Sequence, residues 1–306
     1  MRRGYAIPNK AGHKPHRVAH AIVLYMTPRL TLTVLVDNSA ILDNDLLAEP
    51  GLSFLLTTAG KKVLFDTGLS GLFLTNAGKL GTDLHDVNNV VLSHGHIDHT
   101  GGLPALADQV GGKGDCGRAA PELIAHPRCF WPKEKKGKMN GSVMTGQEAA
   151  DVFRLRLSDQ PLWITDDLVF LGRIPRKFPF ERPDSDGRRI HLPGGTTEPD
   201  LLLDDSALAF RSGSGLVIIT GCSHSGIGTI TEYAREVCGE SRVRDIIGGF
   251  HLLVPEPERW EKTGGYLASL SLEALHPCHC TSLAAKLALA RTCPVQETGV
   301  GMKFTW

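Results

Sequence analysis

Net charge is the first thing this chain lacks: 33 lysines and arginines stand against 33 aspartates and glutamates. Proteins that process nucleic acid normally carry a basic surplus matched to the phosphate backbone, so no nucleic acid partner is expected. No apolar run approaches the roughly 18 residues a spanning helix requires, and no membrane partner is expected either. The seven cysteines are odd in number, and Cys222, Cys278 and Cys280 form no Cys-x-x-Cys pair. Such usage fits a reducing, cytoplasmic setting. An export signal is also missing. Segment 1–25 carries basic residues and three histidines (His13, His16, His20), without the apolar stretch and small-residue cleavage site of a signal peptide. It is read as a disordered lead, or the product of an upstream start codon, ahead of a single domain over 26–306.

What is present is ordinary globular material, with 42% hydrophobic and 22% charged residues, enough for a sizeable core. Within it one stretch stands apart. Val90–Leu103, VVLSHGHIDHTGGL, places His94, His96, Asp98 and His99 in the pattern H-x-H-x-D-H, between a buried-strand pattern and a helix start. Strand alternation sends His94 and His96 to one side, where both imidazoles can reach one cation. Asp98 and His99, at the turn into the helix, are then free to hold a second. Zinc-like ions take imidazole nitrogen and carboxylate oxygen at about 2.0–2.2 Å, and polar loops seldom gather four such ligands without a metal.

The surrounding pattern reads as strands and helices in two similar halves. Strands are expected at Leu30–Val36, Leu52–Thr57 and Lys62–Phe65, then Asn89–Ser93 and Glu122–Ala125, with helices over Leu69–Leu80, Thr100–Val110 and Gly146–Leu155. The second half offers strands at Leu168–Gly172, Arg176–Phe180, Ala207–Arg211, Gly215–Thr220, Val243–Gly248 and Ala274–His276. Its helices fall at Gly226–Cys238, Glu256–Ser269 and Ser282–Ala290. The halves meet near Asp151–Pro161 and suggest an α/β fold of four layers, αββα. Two polar insertions interrupt it, near 132–145 and 182–199. The basic run Lys133–Ser142 is read as a mobile, solvated loop, with an anion clamp as the minority alternative.

Three more histidines fall just past strand ends: His224 in GCSH, His251 in GGFH and His279 in PCHC. Alone, each would be read as structural; together with H-x-H-x-D-H they can converge on one rim. Asp66 ends a buried strand, where an unpaired carboxylate would be costly, and suits the role of orienting a ligating imidazole. His276 is expected in the core and His85 in solvent. His126, Arg173 and Arg176 are kept as substrate contacts, the arginines because a guanidinium can fork onto a phosphate.

H-x-H-x-D-H at a strand end, with FDTG (Phe65–Gly68) one unit earlier, resembles the metallo-β-lactamase fold superfamily. SGLFLTNAGKLG (Ser70–Gly81), IAHP (Ile124–Pro127), DDSAL (Asp204–Leu208), TGCSHSGI (Thr220–Ile227), GGFHL (Gly248–Leu252) and PCHCT (Pro277–Thr281) follow in order. That set resembles the subgroup that includes the archaeal dihydropterin–ribofuranosylaminobenzene phosphate synthase of the methanopterin pathway. The resemblance implies a four-layer αββα sandwich and a dinuclear centre of divalent cations, zinc first, with manganese, magnesium or iron as alternatives. His279 matches the family's last histidine ligand, and GCSH lies where many members carry a bridging aspartate. Two departures stand out. GRIPR (Gly172–Arg176) has no histidine where hydrolases of the superfamily carry one, so His224 or His251 would have to complete the ligands of the first metal. Pro50 stands where the subgroup has a histidine between Glu49 and Gly51.

The expected function is a dinuclear metalloenzyme acting on a phosphorylated or diphosphate small molecule, with Asp98 and His224 as catalytic groups. Hydrolysis and group transfer with loss of diphosphate can share such a centre. A generic metal-dependent hydrolase of phosphoesters, lactones or thioesters is the alternative, and a non-catalytic metal-binding sensor a further one. A di-iron flavoprotein of this fold is disfavoured, because His96 replaces its glutamate and no length remains for a flavin domain.

Overall fold

The computed structural model describes Met1 and residues 29–41, 45–111, 119–181 and 185–306. The remainder of the expected lead over 1–25, with His13, His16 and His20, lies outside the described residues. Two large sheets carry the fold. In the first, the antiparallel strands Leu30–Val36, Ser53–Thr58 and Lys61–Phe65 continue into parallel strands Asn89–Val91, Glu122–Ala125 and Arg154–Leu157. The second repeats that plan. Antiparallel strands Leu168–Phe170, Ala207–Arg211 and Leu216–Thr220 lead into parallel Val243–Gly249 and Ala274–Cys278. A short strand, Leu162–Trp163, closes the edge beside Leu168–Phe170.

Three buried clusters give the four layers. Phe54, Phe65 and Val34 from one sheet meet Phe170, Phe210 and Ile219 from the other, so the sheets face each other across a dry core. The outer face of the first sheet packs Leu64, Val90 and Leu123 against Phe73, Leu103 and Ala149 of its helices Leu72–Lys79, Leu103–Gly111 and Gly146–Val152. On the other side Ala209, Ile218 and Ile246 pack against Ile230, Leu267 and Leu289 of Ile227–Cys238, Pro257–Ser269 and Leu283–Leu289. Strands buried on both faces read as nearly continuous apolar runs, LVIIT among them. The last strand, Lys303–Thr305, crosses back to pair with Leu30–Val36 of the first sheet; its short, mixed pattern gave no signal in the sequence.

The structure departs from the sequence reading in three places. Arg176–Phe180 is not a strand: Pro175 and Pro179 remove ladder donors, and only a turn of 3-10 helix forms at Pro179–Glu181. The helix expected through Leu155 stops at Val152, and RLRL becomes the edge strand Arg154–Leu157. Most consequential, the two polar insertions are not separate loops. Lys133–Lys135 and Lys138–Met139 pair with Arg188–His191 and Thr197–Pro199 as a third, four-stranded sheet.

Lys133 anchors that third sheet. Its side chain is 1% exposed, with Nζ 3.1 Å from Asp204 and 3.6 Å from Asp200. Burial alone would push the ammonium down, but Asp204 and Asp200 outweigh it and raise its pKa. Truncation would strand two buried carboxylates without their counter-charge. Breaking a buried pair in this way typically costs about 3–5 kcal/mol. Lys133→Ala is therefore expected to lower the unfolding free energy by about 3 kcal/mol in urea titrations, and a loss within the error of a surface substitution would contradict the assignment.

Candidate metal centre

Every chemistry-bearing loop leaves the C-terminal end of a strand at the same rim. The strand Asn89–Val91 delivers Ser93, His94 and His96 before the short helix Ile97–Thr100 turns Asp98 and His99 inward. Leu216–Thr220 delivers Cys222 and His224, Val243–Gly249 delivers His251, and Ala274–Cys278 delivers His279 and Cys280. Asp66, Ser223, His251 and His279 all have φ between 48° and 59°, a left-handed backbone that non-glycine residues adopt at some cost. Gly95 is enforced by space, because a Cβ there would lie 2.0 Å from the Cys129 carbonyl oxygen.

Three overlapping ligand sets result, each with its donor atoms within 4.8 Å of one another: His94, His96 and His224; Asp98, His99, Cys222 and His279; Cys222, His224 and His251. His94 Nε2 lies 3.0 Å from His96 Nδ1, and His99 Nε2 lies 3.1 Å from His279 Nε2 and 3.2 Å from Cys222 Sγ. His96 Nε2, His224 Nε2 and His251 Nδ1 are buried without a hydrogen-bond partner. Imidazole nitrogens brought this close, some left unpaired away from water, are poorly explained by hydrogen bonding. The donor set of imidazole, thiol and carboxylate suits a zinc-like divalent cation.

Charge in the metal-free cluster is arranged accordingly. Burial, reinforced by neighbouring imidazoles, pushes His94 and His224 well below the usual histidine range, and burial holds His96 at about 3. These rings are neutral near pH 7, the form in which imidazole ligates. Burial would also depress His99, but Asp98 and Asp66 outweigh it and hold it at about 9. Asp98, which burial would raise, is drawn well down chiefly by His99 and then His279.

Behind the rim stand carboxylates that orient the ligands. Asp66 accepts from the Ser93 N–H at 2.7 Å and the Ser93 hydroxyl at 2.6 Å, and contacts His99 Nδ1 at 2.6 Å. That geometry fits the orienting role read from the sequence. Asp37 accepts the His279 N–H, and Asn38 Oδ1 contacts His279 Nδ1 at 3.0 Å, which turns Nε2 toward the cluster. The DDSAL segment supports both halves of the rim: Asp204 accepts from the Gly95 N–H and Asp205 from the Ser225 N–H, each at 2.8 Å. Sequence reasoning quoted that segment without giving these carboxylates a role.

All seven expected ligands, His94, His96, Asp98, His99, His224, His251 and His279, meet at this rim, and His224 is the one that joins His94 and His96. Cys222, which the sequence showed only as one of three cysteines forming no Cys-x-x-Cys pair, belongs to two of the three sets. The expected substrate contacts fare differently. The Arg176 guanidinium donates to the carbonyls of His224, Leu201 and Leu202, so it braces the GCSH loop instead of facing a ligand. Arg173 is exposed and is not among the residues lining the cleft. His126 Nδ1 accepts the Arg128 N–H, capping the turn Pro127–Phe130. The cleft over the rim, about 270 Å³, is lined instead by Lys135 and Arg188 of the third sheet, by Asn140 just past its strand Lys138–Met139, and by Pro50. As expected, His85 is exposed beside Asp83 and His276 is buried beside Asp245.

Asp66→Asn tests the support behind the rim, since asparagine tolerates the same backbone but loses the charge that faces His99. Zinc affinity, read by competition with a chromophoric chelator, is expected to fall roughly 10- to 100-fold with the fold intact. Unchanged affinity would remove Asp66 from the site.

Residues 47–234 match the family model described as the metallo-beta-lactamase superfamily. An uncharacterized protein of Methanocaldococcus jannaschii is 29% identical over 270 residues, 85% of this chain and 94% of that protein. A second protein of that organism, named as 7,8-dihydropterin-6-methyl-4-(beta-D-ribofuranosyl)-aminobenzene-5'-phosphate synthase, is 30% identical over 252 residues, 78% of this chain and 83% of its own length. A crystal structure described as a metal-dependent hydrolase of the beta-lactamase superfamily superposes with a TM-score of 0.76 at 29% identity, covering 90% of this chain and 99% of that one. The family model spans most of the first half and the GCSH loop, and the solved relative superposes over nine-tenths of the chain; the chain belongs to the metallo-β-lactamase superfamily.

Proposed function

We propose that the protein is a dinuclear metal-dependent enzyme acting on a phosphorylated or diphosphate small molecule. The observation that carries this reading is the overlap of the ligand sets, in which Cys222 and His224 are each shared by two groups. Seven histidine and aspartate ligands with a thiol exceed the four that a single structural zinc takes. His94, His96 and His224 would hold one cation, and Asp98, His99, Cys222 and His279 the other. Bound cations would supply Lewis acidity toward a leaving oxyanion. The residues themselves set the rest. Asp98, a third exposed at its side chain, stays ionised at the floor of the cleft, and His224 is neutral there.

The choice of a phosphorylated substrate is supported by similarity to the named synthase and by the two cations, Lys135 and Arg188, in the cleft wall. Hydrolysis is the second reading, favoured by the solved relative described as a metal-dependent hydrolase. A screen of phosphomonoesters, bis-p-nitrophenyl phosphate, pterin diphosphates and neutral esters tests both. Turnover restricted to neutral esters or thioesters would overturn the phosphorylated-substrate reading.

Elemental analysis after zinc saturation is expected to give about two equivalents per chain, and one equivalent or fewer would sink the dinuclear model. In the cobalt(II)-substituted protein we expect near-ultraviolet thiolate-to-metal charge transfer that Cys222→Ser abolishes; a wild-type spectrum without that band would exclude Cys222 as a ligand. Asp98→Ala is expected to keep the fold and lose turnover by at least roughly 10²-fold. Near wild-type activity would show that the carboxylate has no part in the reaction.

A further inference from the structure

The third sheet supplies Lys135 and Arg188 to the wall of the cleft. Arg188 and Lys135 are direct partners across its antiparallel ladder, so their side chains project from the same face. Burial identifies that face: Lys133, Arg188 and Ile190 are buried and Lys135 half-buried, while Arg189 points to solvent. Both Arg188 and Lys135 line the same cleft as His96, Asp98, His224 and His279. Like charges placed opposite each other on a sheet are unfavourable unless something offsets them. Asp186 supplies one negative charge, 2.5 Å from Lys135 Nζ and 3.8 Å from Arg188. Among the described residues, these ion pairs set both cations on one shared carboxylate.

The wall is also fixed relative to the ligand loops. Lys133 joins Asp204, and Asp204 in turn accepts the Gly95 N–H. The Asn140 carbonyl accepts the N–H of Ile97 at 2.9 Å, at the start of the helix that carries Asp98 and His99. Asn140 itself lines the cleft, and its side-chain amide carries N–H groups able to donate to an anion. The Arg188 guanidinium donates to the Ser185 carbonyl and shares Asp186 with Lys135; a planar guanidinium, an ammonium and an amide that all line one small cleft form a set suited to phosphate oxygens.

We infer that Arg188 and Lys135, with Asn140, bind a phosphate group of the substrate beside the metal ligands and set the preference for an anionic substrate. The inference rests on the phosphorylated-substrate reading and specifies which residues recognise the phosphate. The third sheet is then a recognition element inserted into the sandwich, in the role that Arg173 and Arg176 do not fill.

Calorimetric titration of inorganic phosphate into the full chain tests this, in zinc-saturated and metal-free forms, with zinc content measured in parallel. Wild-type protein is expected to bind phosphate in both forms, more tightly with zinc. Arg188→Ala should weaken binding roughly 10- to 100-fold in each form, the span for loss of a charge-assisted contact, with zinc content unchanged. Lys135→Ala, at a more exposed position, should weaken it severalfold and serves if the arginine variant does not fold. Phosphate affinity unchanged in the variants would overturn the inference, as would absence of phosphate binding to wild type. Loss of zinc in Arg188→Ala would overturn it too, by showing a structural role. Should wild-type protein hold no zinc, the dinuclear reading falls, and the order of affinities among metal-free variants still decides this one.

Discussion

Six imidazoles share one buried rim, with ring nitrogens approaching to about 3 Å, and much of the surrounding structure is arranged around that crowding. Neutral imidazoles cannot all satisfy one another, and a desolvated nitrogen without a partner is costly. The fold accepts that cost by bracing several of these residues from behind. Asp66 holds Ser93 and His99, Asp37 and Asn38 hold His279, and Asp204 and Asp205 hold the backbones beside His94 and His224. These carboxylates and the Asn38 amide fix several of the rings and their backbones at the floor of the cleft.

The same bracing ties the inserted sheet to the rim. Lys133 from the inserted sheet and Gly95 from the ligand loop meet on one carboxylate, Asp204. Arg176 binds the carbonyl of His224 together with those of Leu201 and Leu202, linking the GCSH loop to the segment ahead of DDSAL. Buried ion pairs of this kind need not add net stability over apolar packing. They can instead fix relative position, so that cations on the cleft wall and ligands on its floor keep one spacing.

Much of the scaffold was legible because it follows from periodicity. Runs such as LVIIT and the alternation of Leu30–Val36 mark strands, and IGTITEYAREVC marks a helix with one apolar face. Local chemistry also located the residues that gather at the rim, since each follows a strand pattern directly. What misled was polar sequence. KEKKGKMNGS reads as a solvated loop when taken alone; its strands exist because Arg188–His191, some fifty residues away, supplies the partner ladder. Lys133 looks like any surface lysine until Asp200 and Asp204 are placed beside it. The prolines at 175 and 179 were the available signal against a strand over Arg176–Phe180.

By itself, the sequence determined the layered α/β plan, the rim where the ligands lie and the residue types that form them, because periodicity and strand-end position are properties of short segments. Only tertiary structure decided the groupings. That His224 joins His94 and His96, that Cys222 stands between two sets, and that Arg188 instead of Arg173 or Arg176 faces the cleft all depend on contacts between segments far apart in the chain. Side-chain partners at such separations are set by how sheets register and pack, and no local pattern encodes that.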